Sequence, residues 1–359
     1  MIRLSQSWVL YLLIFGIAPL LLSLRSYIWG REGYAFLNRT NIEVVKGFSM
    51  LLIIFQSLCD RLVNQNLFTI SISRSGILGV TLFLFICGYE AMTQYMNNRR
   101  YLRGFIFHQV IRIVCVFLVC NFLGALVNIS MGGHDSLKDM LYQTVSFHFS
   151  DRTSAWLIGA LLYFYIAFYL SYRTKFKMNL LLWFSVIYIG ISFAARWNFS
   201  IAFCFLVGVF VAKYKKYLFR LIRESLLGLF IGSLVSFSGI YLLYLKGFTF
   251  ISPLVPYVFL ILVLCILMKL QCRSRVFAMI GYAATELYLV HEVLLILVLG
   301  YSETRSGGFL VLFLILAFVG AFFLKNVSCR MFSVPKQYHV QKWIFFVGNR
   351  MSIFSFSYN

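Results

Sequence analysis

Apolar runs of about 20 residues recur along the whole chain, each long enough to cross the hydrocarbon of a bilayer as a helix. Eleven such segments stand out, near Trp8–Leu24, Val44–Cys59, Gly76–Gln94, Ile111–Ser130, Ala155–Tyr172, Met178–Ala194, Phe199–Ala212, Leu226–Leu245, Pro253–Met268, Tyr282–Gly300 and Gly308–Leu324. The polar stretches between them are short, and the longest, at residues 25–43 and 131–154, are too small to bury a core of their own. The pattern predicts an all-α, polytopic transmembrane helical bundle of about eleven spans. It predicts three parts: an extra N-terminal transmembrane helix in 1–30, a ten-helix membrane core in 31–330, and a basic, aromatic tail in 331–359. The first run follows only Arg3 and precedes no small-x-small cleavage site, so a retained helix is expected.

The basic residues test this division. Of the 32 Lys and Arg, 24 fall in alternate inter-span segments (25–46, 95–112, 173–177, 213–225, 269–275 and 325–359) and 8 in the other set. A single missed or invented helix would scramble that alternation. Positive charge is retained on the cytoplasmic side of short loops, so the N-terminus is expected outside and the C-terminus, with its tail lying on the cytoplasmic surface, inside.

Composition then narrows the function classes. The chain is 61% hydrophobic and only 12% charged, with mean hydropathy +0.87, where soluble domains carry about a quarter charged residues. Lipid is the solvent that such a chain requires. The net charge of +21 is dispersed among the loops as the topology demands, with affinity for anionic headgroups. It forms no single basic patch of the kind that nucleic acid needs, and no nucleic-acid partner is expected. All eight cysteines lie in or beside apolar spans without a Cys-x-x-Cys pair. They read as small buried hydrophobes, and neither a metal site nor a disulfide framework is expected.

Polar groups inside a membrane are costly and mark candidate sites. The second span ends in Gln56, Ser57 and Asp60; the third carries Glu90; the fourth opens on His108, Gln109 and Arg112. In the tenth, Tyr288, His291 and Glu292 fall at i, i+3 and i+4 and so share a helix face. A histidine beside a carboxylate suits proton abstraction, and equally suits a hydrogen bond that joins two helices. Arg112, in a basic cluster with Arg99, Arg100 and Arg103, is either a snorkelling helix-end charge or a fork that grips phosphate.

Several segments, in order, resemble acyltransferase family 3, a family of polytopic membrane O-acyltransferases. They are the run from Asn41 to Phe55, the run from Leu78 to Tyr89 with its Gly-Val and Cys-Gly pairs, and Phe107 to Ile113 at the place of the family's Arg-x-x-Arg motif. Trp156-Leu157 with Tyr163 and Tyr165, the run from Ala202 to Lys213, and Glu286-Leu-Tyr-Leu-Val-His291 continue the match over roughly residues 38–325. The resemblance implies transfer of an acyl group, typically acetyl, from cytoplasmic acyl-CoA to a hydroxyl of a surface polysaccharide or lipid-linked glycan, in a bacterial inner membrane. It also implies that Arg112, Arg103 and Glu90 serve the acyl-CoA, that Ser57, Asp60, Tyr288 and Trp156 line the acceptor side, and that His291, Glu292 and Gln56 surround the chemistry. The family's histidine position is Gln56, a neutral amide that cannot act as a base, and the first arginine of the motif is Gln109. Two other readings stand beside this one: a glycan or lipid-precursor transporter or flippase, and a catalytically inactive member of a glycan-assembly complex.

Overall fold

The structure, a computed structural model, describes residues 3–4, 10–23, 26–28, 37–60, 66–130, 138, 156–194, 197–300, 304–305 and 307–332. The tail beyond residue 332 and the loop at 131–154, apart from Lys138, lie outside the described residues. In chain order the helices are α1 (Leu12–Ser23), α2 (Arg39–Cys59), α3 (Leu67–Asn97), and α4, which starts as Tyr101–Phe105, widens into a π-helical turn at Ile106–Ile111 and continues as Arg112–Ser130. There follow α5 (Trp156–Arg173), α6 (Lys177–Ala194), α7 (Phe199–Lys213), α8 (Lys215–Glu224), α9 (Leu226–Leu245), α10 (Val255–Lys269), α11 (Arg275–Tyr282), α12 (Ala284–Gly300) and α13 (Gly307–Met331). Two-residue strand pairs join Arg3–Leu4 to Thr304–Arg305 and Tyr27–Ile28 to Leu270–Gln271.

Helix therefore occupies each of the eleven apolar segments. Among the described residues, seven helices (α2 to α6, α9 and α13) are long and apolar enough to cross a membrane individually. Their outward faces are apolar and open: Trp183 and Ile187 on α6, Leu227, Ile231 and Val235 on α9, and Ile315, Val319 and Phe323 on α13 are all exposed. Rows of this size are a liability in water and the normal lining of a lipid contact.

Several helices run beyond the apolar segments that announce them. The Asn66–Thr69 capping box starts α3 well before Gly76. The polar residues there are put to use, with Arg74 Nη1 donating to the carbonyls of Tyr244 and Leu245 at 2.7 and 2.8 Å and so capping α9. The helix α13 runs on to Met331, which brings Lys325, expected among the topogenic charges just past the last apolar run, into the bundle. The short helices α8 and α11 stand in segments expected to be loops.

Backbone contact sets the core. At Gly47 of α2 an added Cβ would lie 2.1 Å from Phe277 O, and at Gly281 of α11 one would lie 1.9 Å from Glu43 O. The crossing of α3 and α7 repeats this arrangement, with Gly88 against Phe205 O at 2.2 Å and Gly208 against Phe85 O at 2.0 Å. Small residues let membrane helices approach this closely, where dispersion replaces the missing hydrophobic drive. The joint of α2 and α11 is reinforced by wholly buried Asn41, whose Oδ1 accepts from the Cys272 N–H at 2.9 Å. At the N-cap of α11, the Ser274 hydroxyl donates to the carbonyl of Leu21 at 2.6 Å and ties α1 to the core.

Gly281→Leu forces two backbones apart and is expected to cost about 1–3 kcal/mol, seen as a lower melting temperature in detergent. Gly228→Leu on α9, where an added Cβ meets nothing within 4 Å, leaves the melting temperature unchanged. Equal behaviour of the two variants would refute the crossing as the determinant.

Candidate functional site

Polar side chains gather at two levels of the bundle. The first is a cavity of about 210 Å³ at the end where α2, α4 and α12 begin and α3 and α13 finish. Lys46 of α2, Cys87 and Glu90 of α3, Tyr101, Gln109 and Arg112 of α4, Tyr165 of α5, Tyr282 of α11, Thr285 of α12 and Lys325 of α13 line it. Its floor reaches Cys87 and Tyr165, which stand well inside their helices.

Charge in this cavity is arranged in pairs. Lys46 Nζ meets Glu90 Oε2 at 2.6 Å, and Lys325 Nζ meets both Glu286 carboxylate oxygens at 3.2 and 3.3 Å. Glu43, also in the wall, is held by Arg39 at 3.1 Å. Arg112 is the exception: its Nε is buried without a hydrogen-bond partner, and no carboxylate among the described residues lies within ion-pair distance. It follows directly on the π-helical turn, which adds a residue to the helical circuit and changes the direction in which the next side chain projects. A guanidinium so placed is a ready partner for a phosphate or carboxylate. Outside the cavity, Arg99 and Arg100 at the α3–α4 turn and Arg103 on α4 are exposed to solvent.

The second level is built around His291, which is wholly buried. Its Nδ1 lies 2.5 Å from the carbonyl of Tyr288, and its Nε2 lies 3.5 Å from both Ser57 Oγ and Glu292 Oε1. Because a carbonyl only accepts, the neutral ring carries its proton on Nδ1 and turns the basic Nε2 towards Ser57 and Glu292. Lys46 and Ser57 are eleven residues apart, close to three full turns, so they project from one face of α2 about 16 Å apart. Between them on that face stand Met50 and Ile53, both buried.

The residues singled out in the sequence thus divide. Ser57, Tyr288, His291 and Glu292 meet; Glu90 and Arg112 line the other level without touching as an ion pair, with Arg103 exposed beyond it. Gln56 turns to α3, where a Cβ at Gly76 would overlap its Oε1 at 1.4 Å. Exposed Asp60 accepts from the Ser73 hydroxyl. Trp156 opens α5 nine residues from Tyr165, hence about 13 Å along the helix from the cavity wall. Sequence reasoning missed Lys46 and Lys325 as site residues, since both had been counted as topogenic charges. A carboxylate inside one span and an ammonium directly at the end of another, Glu286 and Lys325, was the available signal of a buried pair.

A bundle of membrane-spanning helices enclosing two polar levels, one with a guanidinium that has no ion-pair partner among the described residues and one with an oriented imidazole, defines a multi-pass membrane protein with a polar interior. A family model described as an acyltransferase domain matches residues 39–325, and the chain belongs to this family, acyltransferase family 3. No curated protein and no solved structure matches it.

Lys325→Met leaves Glu286 charged and buried, and is expected to cost about 3–5 kcal/mol of stability. The double variant with Glu286→Gln regains most of that loss in thermal unfolding, because removing both charges also removes their desolvation cost. Additive losses in the double variant would show that the pair is not what holds these helices.

Proposed function

We propose that the protein is a membrane O-acyltransferase, moving an acyl group, acetyl in the simplest case, from acyl-CoA to a hydroxyl of a surface polysaccharide or lipid-linked glycan. Membership of the acyltransferase family supports the reaction class. The observation that carries the reading within this chain is Arg112, a partly buried guanidinium that lines a polar cavity, with its Nε buried and without an ion-pair partner among the described residues. Its cavity opens at the end of the bundle where the basic inter-span segments collect. In this reading that end faces the cytoplasm of a bacterial inner membrane, eleven helices cross, and the N-terminus is outside.

Arg112 then grips a phosphate of the donor through two parallel N–H donors, with Arg99, Arg100 and Arg103 outside drawing the anion in. Glu90 keeps Lys46 in place across the cavity. Attack on the thioester carbonyl requires a base for the hydroxyl proton. Every carboxylate named in the cavity is engaged by a cation, and Gln56 has no basicity, so His291 is the base, its Nε2 presented by the hydrogen bond to Tyr288 and its charged form stabilised by Glu292. The acceptor approaches from the end marked by Asp60.

The paired carboxylates and Gln56 also favour a second reading, a member without turnover that serves a glycan-assembly complex. Purified protein in nanodiscs separates the two when given acetyl-CoA and a cell-envelope glycan extract, with free thiol as the readout. Acyl transfer predicts acceptor-dependent release, a KM for acetyl-CoA raised about 10- to 100-fold by Arg112→Ala (1.4 to 2.8 kcal/mol of phosphate binding), and a kcat lowered about 10²- to 10⁴-fold by His291→Ala. Release that both variants leave untouched rejects these roles. No release from folded protein with its native acceptor favours the assembly or transport reading.

A further inference from the structure

We propose that Ser57 is a nucleophile that carries the acyl group as a covalent ester before it reaches the final acceptor. This rests on the acyl-transfer reading above and divides that reaction into two half-reactions.

The geometry of the base carries the argument. His291 is wholly buried, so an arriving hydroxyl meets the less buried Ser57 side chain before it meets the ring. Ser57 is only partly buried and lies on the same helix turn as exposed Asp60. Its Oγ, 3.5 Å from Nε2, stands between the base and the more open end of α2. A weak hydroxyl nucleophile within reach of an imidazole, with the imidazole oriented by a third group, is the arrangement that covalent catalysis requires. The carbonyl of Tyr288 at 2.5 Å supplies the orientation. Glu292 Oε1, 3.5 Å from Nε2, favours the imidazolium that forms when the proton arrives. Gln56, the neighbouring polar side chain, points away to Gly76 of α3 and leaves Ser57 facing the base.

In the first half-reaction Ser57 Oγ attacks the thioester carbonyl while its proton passes to His291 Nε2. The carbon–sulfur bond breaks, and the departing thiolate takes that proton and leaves as free thiol. In the second, the acceptor hydroxyl attacks the ester carbonyl and gives its proton to Nε2. The carbon–Oγ bond breaks and the proton returns to Ser57. Nothing is oxidised or reduced, and serine and histidine end as they began.

The test needs no knowledge of the acceptor. Full-length protein in nanodiscs is mixed with acetyl-CoA alone, quenched in acid, digested and analysed by mass spectrometry alongside a rapid thiol assay. A burst of about one thiol per protein is expected, as for any accumulating acyl-enzyme, with one acetyl group on the peptide containing Ser57. Ser57→Ala, checked for an unchanged melting temperature, abolishes burst and adduct, and His291→Ala slows adduct formation about 10²- to 10⁴-fold. Ser57→Cys restores an adduct, now a thioester that neutral hydroxylamine cleaves. If wild-type protein turns over with acceptor but shows neither burst nor adduct, and Ser57→Ala turns over at the same rate, the relay is overturned while acyl transfer stands. Folded wild-type protein that neither bursts nor turns over with its native acceptor removes both.

Discussion

The closeness with which other backbones approach α2 governs the whole interior. In lipid there is little hydrophobic gain from joining two helices, so their association relies on contact distance and on polar links. Gly47 and Gly281 allow α11 to lie directly against α2, and an added Cβ at Gly79 of α3 would stand 2.6 Å from Ser49 O. With α2 held between these two neighbours, Lys46 reaches Glu90 on one side, and three turns later Ser57 reaches His291. A side chain larger than glycine at either crossing would shift both contacts together, because both are borne by a single helix.

That helix also separates the two polar levels. Met50 and Ile53 lie between Lys46 and Ser57 on the shared face and are buried. A dry layer of this kind hinders water and ions, while a flexible thioether can yield to an acyl chain. In the acyl-transfer reading this keeps the thioester from simple hydrolysis, a side reaction that water exclusion suppresses. It also gives the buried imidazole an environment in which its hydrogen bond to Tyr288 is strong and its tautomer well defined.

Much of this architecture was legible in the chain. The apolar runs located the helices, and the order of the Asn41–Phe55, Leu78–Tyr89 and Glu286–His291 segments identified the family. Helix ends were not legible, because hydropathy falls wherever polar residues are satisfied inside the protein, as Arg74 is by the carbonyls that end α9. Of the site, the i, i+3, i+4 pattern of Tyr288, His291 and Glu292 marked one level correctly as a single face. It could not reveal that Ser57, 234 residues away, is the group that faces the imidazole. Lys325 was obscured differently: a lysine just past an apolar run looks like a topogenic charge, and only the continued helix carries it to Glu286.

The charge arrangement of the cavity gives the proposed donor site its physical logic. A buried ion pair gains little over an apolar pair of the same volume, but a buried charge without its partner is strongly unfavourable. Glu43, Glu90 and Glu286 each have a closer cation, so none of them ion-pairs with Arg112 among the described residues, although the field of Arg112 reaches Glu286. The guanidinium therefore favours an anion from outside the fold over any rearrangement within it. Binding of that anion relieves an electrostatic cost, and a ligand that binds the folded state alone also stabilises it. Recognition of a phosphate donor and the stability of this end of the bundle are, on this argument, the same interaction.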